Sequence, residues 1–280
     1  MAWTKAWLRA GTRPMSTSHG RPCRVIRVFT RDQVGGNHLG VVEDLSGLDT
    51  AAMQAIAADL GFSETVFVDY AGDVPSARIF TPEMEMPFAG HPLVGAAWVV
   101  LGRERSSLDR LTCGIGEVGI RSEDDVVWVD APMTKENARR DRSGFAGQVG
   151  LPAPVCAWRV DMPLDYRMVE LATPTAVSQV RPDITAFGEA HGLTVFARDG
   201  GLVRMRFFIP EAGIDEDPAT GSAAVALATM LAAGGESTGS LVIDQGEEIG
   251  HPSRINLRWS GSVASIGGTV AVEPTLLLDV

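Results

Sequence analysis

The sequence predicts an α+β fold made of two pseudo-symmetric halves, and three observations lead there. Short alternating runs rich in Val, Ile and Phe recur along most of the 280 residues and read as strands. Helical spacing is confined to a few stretches, and two of these, Leu93 to Leu101 and Ala223 to Ala233, follow a glycine-containing turn. The third observation is an internal match. Arg78-Ile79-Phe80-Thr81-Pro82-Glu83 and Arg206-Phe207-Phe208-Ile209-Pro210-Glu211 share Arg, Phe, Pro and Glu at an offset of 206 minus 78, or 128. Leu111 to Gly116 and Leu241 to Gly246 share their end residues at an offset of 130. Between these matches each half has a helix opened by glycine, Gly90 onward and Gly221 onward, and a period this long indicates a duplicated unit rather than a solenoid.

In chain order, Arg24 to Phe29 alternates as a first strand, Gly35-Gly36-Asn37 turns, and Val41-Val42 mark a second short strand. Leu48 to Leu60 reads as a helix, capped by Asp49 and stopped at Gly61, with Met53, Ile56, Ala57 and Leu60 at helical spacing. Ser63 to Val68 and Ala77 to Phe80 are strands, and Thr81-Pro82-Glu83 turns. Pro92 fits a first helical position, where its missing N–H costs nothing. Leu111 to Asp130 reads as two strands around Gly116 and Gly119. From Ala131 to Pro154 the pattern lapses into charge, Gly and Pro, which marks a linker. Beyond it, 155–160 and 167–171 read as strands and 175–187 as an irregular or helical connection, while 193–197 and 202–209 form a pair joined by Asp199-Gly200-Gly201. The expected domains are 23–131, completed by a C-terminal strand within 269–280, and 132–268, with the active-site cleft between them. Residues 1–22, basic and without an acid, are expected to be a disordered extension.

A net charge of −11 with no long Lys/Arg run argues against a nucleic-acid partner, since neutralising phosphates needs a basic surface. No apolar stretch reaches the roughly 18 residues of a membrane span. Cys23, Cys113 and Cys156 are widely spaced, with no C-x-x-C and no companion histidines. They read as reduced cytoplasmic thiols rather than a disulfide framework or metal site.

The chemistry concentrates in three places. Asp215-Glu216-Asp217 runs through Pro218-Ala219 into Thr220-Gly221-Ser222, where Thr220 and Ser222 can cap, Gly221 admits close approach, and the first helical turn offers N–H groups to an anion. Acids upstream and N–H groups downstream suit a zwitterion, although an acidic loop capping a core helix explains the stretch equally simply. Glu64 enters a strand among Phe62, Val66 and Phe67. Turned inward it is desolvated, which raises its pKa toward the range useful for proton transfer; turned outward it is an ordinary strand-end acid. His91 lies beside a helix N-terminus, where the dipole favours the neutral ring, and a simply buried histidine is the alternative. Two copies of a strand-turn-helix unit about a pseudo-two-fold would bring both helix starts to one cleft.

Gly36-Asn37, Ser63-Glu64-Thr65, Phe80-Thr81-Pro82, Gly90-His91-Pro92 and Glu216 to Ala223 resemble the motifs of the PhzF-like phenazine-biosynthesis isomerases, from about Val25 to the chain end. The resemblance implies the diaminopimelate-epimerase fold: two similar domains, each a mostly antiparallel sheet or barrel wrapped around a long central helix, commonly in a homodimer. It also implies isomerisation of trans-2,3-dihydro-3-hydroxyanthranilate or an analogue without cofactor or metal. Glu64 would be the acid/base, with His91 and Asp217 orienting the substrate and assisting. Asn37, Gly90, Thr220, Gly221 and Ser222 would bind the substrate, its carboxylate above all. Superfamily members with two catalytic cysteines carry one at each helix start, where this chain has Ala89 and about Pro218. Another proton-transfer reaction, epimerisation or dehydration, and a catalytically silent metabolite-binding protein are the alternative functions.

Overall fold

The computed structural model describes residues 20–103, 108–188, 192–210 and 214–279. The first half runs β1 (Arg21–Thr30), β2 (Asn37–Val42), α1 (Thr50–Leu60), β3 (Glu64–Asp69), β4 (Ser76–Phe80), β5 (Glu85–Met86), α2 (Gly90–Leu101), β6 (Arg110–Cys113), β7 (Gly116–Glu123) and β8 (Val126–Pro132). After β9 (Ala138–Arg140) and α3 (Phe145–Gln148), the second half repeats the order. It runs β10 (Cys156–Asp161), β11 (Asp165–Glu170), α4 (Pro174–Gln179), β12 (Gly192–Asp199), β13 (Leu202–Ile209), β14 (Ile214–Asp217), α5 (Gly221–Ala233), β15 (Thr238–Gln245), β16 (Ser253–Ser260) and β17 (Val263–Val272). β18 (Leu276–Leu278) closes the chain against the start of β1.

The duplication is legible in the ladders. β1–β2 and β10–β11 are antiparallel, β2–β3 and β11–β12 parallel across a helix, and β3–β4 and β12–β13 antiparallel again. β4 pairs antiparallel with β5 and parallel with β6, and β13 does the same with β14 and β15. The halves are joined by β17: Val263–Gly268 lies against β8, and residues 269–272 continue along β1.

α2 and α5 are buried over almost their whole length, including Leu93, Val94, Val100, Ala224, Leu227 and Ala228, and carry no charged side chain. A helix apolar on all sides must be enclosed. α2 packs against β1, β2, β3, β4, β7, β8 and β17, and α5 against β9, β10, β11, β16 and β17. Among the described residues no helix is long and apolar enough to cross a membrane.

Several boundaries differ from the sequence expectation. β1 starts at Arg21, so Arg21 and Pro22 belong to the sheet, while residues 1–19 of the expected extension lie outside the described residues. α2 starts at Gly90, which makes Pro92 its third residue rather than its first. The region 110–132 holds three strands: the second turn falls at Asp124, with φ 52°, and Gly119 sits inside β7. The stretch 131–154 contains β9 and α3. β9 pairs with β10 through its backbone while Arg139 and Arg140 stay exposed, so hydropathy gave no strand signal there. Asp49 caps α1 as expected, accepting from the Ala52 N–H at 2.8 Å, and Gly61 ends it with φ 64°.

Leu93, fully buried at the start of α2, gives a direct test of the enclosed helix. Leu93→Ala should cost about 2–5 kcal/mol in urea unfolding. A loss below about 1 kcal/mol would show that the surrounding sheet collapses onto the gap.

Candidate functional site

Two helix starts face each other. A Cβ built on Gly90 would lie 2.6 Å from Gly221 Cα and 2.9 Å from Ile266 Cδ1, so only glycine permits this approach. The first-turn N–H groups of α2 and α5 have no intrahelical acceptor. Neither helix has an acid in its first turn or a side-chain cap.

Around this contact lies a buried polar network. The Asn37 side-chain amide, at the start of β2, donates to Asp217 Oδ1 at 2.9 Å and to the Ala219 carbonyl at 3.2 Å, and lies 3.3 Å from His91 Nδ1. Ser63 Oγ donates to Asn37 Oδ1 at 3.1 Å, which fixes the orientation of the amide. The other Asp217 oxygen accepts from Thr220 Oγ1 at 2.5 Å. Gln245, fully buried at the end of β15, donates to the Asp217 carbonyl at 2.8 Å and to Thr220 Oγ1 at 3.0 Å, and accepts from the Thr220 N–H at 3.2 Å. One side chain thus ties together the turn that leads into α5.

Glu64 opens β3 with 18% of its side chain exposed, and its Oε2 lies 3.5 Å from His91 Nε2. That nitrogen is buried without a hydrogen-bond partner among the described residues. Desolvation drives the electrostatics. Burial, and then the neighbouring Asp217 charge, push the Glu64 carboxyl well above the usual range. Burial likewise raises Asp217, against the hydrogen bonds from Thr220 and Asn37 that favour its charged form. Burial lowers His91 to about 3, so its ring is neutral.

The structure therefore brings Glu64, His91, Asp217, Asn37, Gly90, Thr220, Gly221 and Ser222 into one region. The part played by Thr220 differs from the capping expectation: its hydroxyl is bonded to Asp217 and Gln245 rather than to the helix it precedes. The helix starts place Thr220, not Pro218, opposite Ala89. Neither is a cysteine, and Cys23, Cys113 and Cys156 lie on strands elsewhere. Glu211 to Gly213, part of the acidic approach, lie outside the described residues. Among the described residues no cluster of His, Cys, Asp and Glu is arranged to hold a metal ion.

A sequence model of the phenazine biosynthesis-like protein family matches residues 26–273. The chain belongs to this family. An uncharacterized isomerase of Mesorhizobium japonicum is 34% identical over 283 residues, covering 86% of this chain and 93% of its own length. The trans-2,3-dihydro-3-hydroxyanthranilate isomerase of Pseudomonas aeruginosa is 36% identical over 255 residues, covering 85% and 90%. A PhzF-family phenazine biosynthesis protein of Enterococcus faecalis has the same fold, with a TM-score of 0.80 at 22% identity over 93% of this chain and 100% of its own. The fold is thus diaminopimelate-epimerase-like.

Sequence reasoning missed two neighbours of this network. Gln245 ends an ordinary strand, and its one signal was the glycine after it: Gly246 has φ 82°, and a Cβ there would lie 2.6 Å from the Pro218 carbonyl. Tyr166, on β11, is buried against Phe207 with ring centroids 5.8 Å apart, and its hydroxyl lies near Ser222. Burial pushes the phenol pKa up, so the O–H stays a donor. Nothing in the local sequence distinguished it from a core aromatic.

The histidine can be tested directly. Its folded pKa lies below its unfolded value of 6.5, so its contribution to stability is fully present above that pH and is lost as pH falls toward about 3. In histidine-resolved NMR the His91 ring should remain neutral at about pH 5, and His91→Asn should flatten the acid side of the stability curve. Titration of His91 near 6.5 would refute the desolvated site.

Proposed function

We propose that this chain is an isomerase that moves a proton within a small carboxylate-bearing amino or hydroxy acid, trans-2,3-dihydro-3-hydroxyanthranilate or a close analogue. The observation that carries this reading is the meeting of Glu64, from the first half, with Asp217, from the second, beside two abutting helix starts. The substrate class follows from the Pseudomonas aeruginosa relative, whose name states that reaction.

In this reading the substrate carboxylate takes the N–H groups at the starts of α2 and α5, Gly90, Gly221 and Ser222, where backbone donors and the helix dipoles favour an anion. Asp217, held by Asn37 and Thr220, orients the amino group, and His91 Nε2 turns to the hydroxyl. Glu64, as carboxylate, removes a proton from one carbon of the substrate. The electron pair shifts through the adjacent unsaturation, and the carboxylic acid form of Glu64 returns the proton to a different carbon. No atom is gained or lost, and Glu64 ends as it began. A raised pKa serves both halves of this cycle, because it makes the carboxylate a stronger base and keeps the returned proton transferable. The three free thiols, Cys23, Cys113 and Cys156, favour a reducing, cytoplasmic setting, and the family resemblance favours a homodimer.

Glu64→Gln should lower turnover of trans-2,3-dihydro-3-hydroxyanthranilate by about 10²- to 10⁴-fold with an unchanged melting temperature. For the wild type, the acid limb of kcat/KM should lie above the ordinary glutamate value of about 4.3. Turnover in D₂O, followed by proton NMR, separates the alternatives: an isomer carrying deuterium at a new carbon supports the assignment. Loss of water or inversion at one carbon replaces it with dehydration or epimerisation, and full activity of Glu64→Gln refutes the role of Glu64.

A further inference from the structure

Each half contains the same arginine–glutamate clamp. In the second, Arg206 Nε donates to Glu216 Oε1 at 2.8 Å and Nη2 to Oε2 at 2.6 Å, while the guanidinium lies 4.9 Å from the Phe208 ring. In the first, Arg78 Nε donates to Glu85 Oε1 at 2.7 Å and Nη2 to Oε2 at 2.6 Å, with the guanidinium 5.2 Å from Phe80. Each clamp binds a short strand, β14 or β5, to the strand beside it just before a central helix begins. The register makes the next residues equivalent: Asp217 lies opposite Phe207, and Met86 lies opposite Ile79.

The clamps differ in one respect. Arg78 and Glu85 keep 36% and 40% of their side chains exposed, whereas Arg206 and Glu216 keep 5% and 8%. Arg206 Nη1 also reaches the Val180 carbonyl at 2.8 Å, beyond the end of α4. A buried ion pair is a weak source of stability, since apolar replacements of similar size are often neutral or better. The duplicated fold evidently forms with the pair exposed. The desolvated version occurs where the following residue is a site carboxylate, and adjacent strand residues point to opposite faces. Bidentate pairing, ring stacking and the carbonyl bond leave Arg206 no freedom to rotate, so the backbone of β14 is pinned one residue before Asp217.

We propose that Arg206 and Glu216 are a positioning pair, which fixes the direction in which Asp217 presents its carboxylate to Asn37, Thr220 and the substrate. This rests on the reading of Asp217 as a substrate-orienting group. The groups facing Asp217 are Asn37 from β2, Thr220 and Gln245 from the turn and β15, Glu64 from β3, and its neighbour Glu216.

The test uses the full chain with its aspartate side-chain carboxyls labelled with ¹³C. Arg206→Met combined with Glu216→Leu removes the clamp while keeping the volume apolar, and Arg206→Lys keeps the charge but loses the fork. Arg78→Met combined with Glu85→Leu is the internal control. In both second-half variants Asp217 should titrate lower than in wild type: in the double variant partly because the Glu216 charge that raises it is gone, and in Arg206→Lys, which keeps that charge, because water enters around it. Turnover of trans-2,3-dihydro-3-hydroxyanthranilate should fall about 10²-fold in kcat, with KM changed less than about threefold. The control should leave the Asp217 titration unchanged and kcat within about twofold. Wild-type Asp217 titration in either folded second-half variant overturns the proposal, and Arg206→Lys decides if the double variant fails to fold. The titration needs no substrate, so a wild-type chain that turns nothing over refutes the isomerase reading and leaves this test standing.

Discussion

The site depends on two backbones touching. Gly90 and Gly221 bring the starts of α2 and α5 within a distance that no side chain tolerates, and each helix start carries about half a positive charge. Opposing two such ends is unfavourable unless negative charge lies nearby. The helices supply none from their own first turns, and the buried His91 adds no positive charge because its ring is neutral. The carboxyl groups that can supply it come from other elements, Glu64 from β3 and Asp217 from β14, one per half. Their placement follows from the helix contact, since each strand is paired within the sheet that wraps its own helix.

The scaffold is symmetric and its chemistry is not. The pairing of Thr65 with Phe80 corresponds to that of Leu193 with Phe208, which makes Gly192 the counterpart of Glu64. A Cβ at Gly192 would lie 2.7 Å from the Phe207 ring, so in the second half an aromatic ring occupies the space next to the equivalent position. Met86 is in turn the counterpart of Asp217. Each half therefore contributes one carboxylate from a different strand position. An exact two-fold would place two Glu64 equivalents or two Asp217 equivalents around the glycine contact. The observed arrangement instead sets unlike carboxylates together, one beside His91 and the other within a cage of donors.

Much of this was legible because its signals are local. Glycine before an apolar helix, an Arg-x-Phe repeated at an offset of 128, and an acid at the entry to a strand can all be read without knowing the fold. The fold class and the grouping of Glu64, His91 and Asp217 follow from them through the family resemblance. What stayed hidden depends on register. The offset of 128 matches Glu83 with Glu211, yet Arg78 pairs with Glu85 and Arg206 with Glu216. Glu85 and Glu216 stand at unequal distances from their arginines, because the loop is longer in the second half, so a fixed offset cannot align them. Gln245 and Tyr166 reach the site only through sheet pairing, and the one local mark is the glycine after Gln245. β9 escaped notice because its backbone pairs while its arginines face water.

The net charge of −11 sets a problem for the anionic substrate of the proposed reaction, because the field of the whole molecule opposes its approach. Burial answers it locally. With Glu64 pushed toward its protonated form, His91 neutral and the Tyr166 phenol protonated, the polarity of this region is dominated by the helix starts and by how far Asp217 is ionised. The same desolvation makes Glu64 a stronger base once it is ionised, so in the proposed reaction admission of the anion and activation of the base would share one physical cause. Since the charge on Asp217 raises Glu64 further, the proton affinity of the first half's acid is set in part by the second half. In the proposed isomerase, any change that separates the glycine contact would weaken the anion site and the base together.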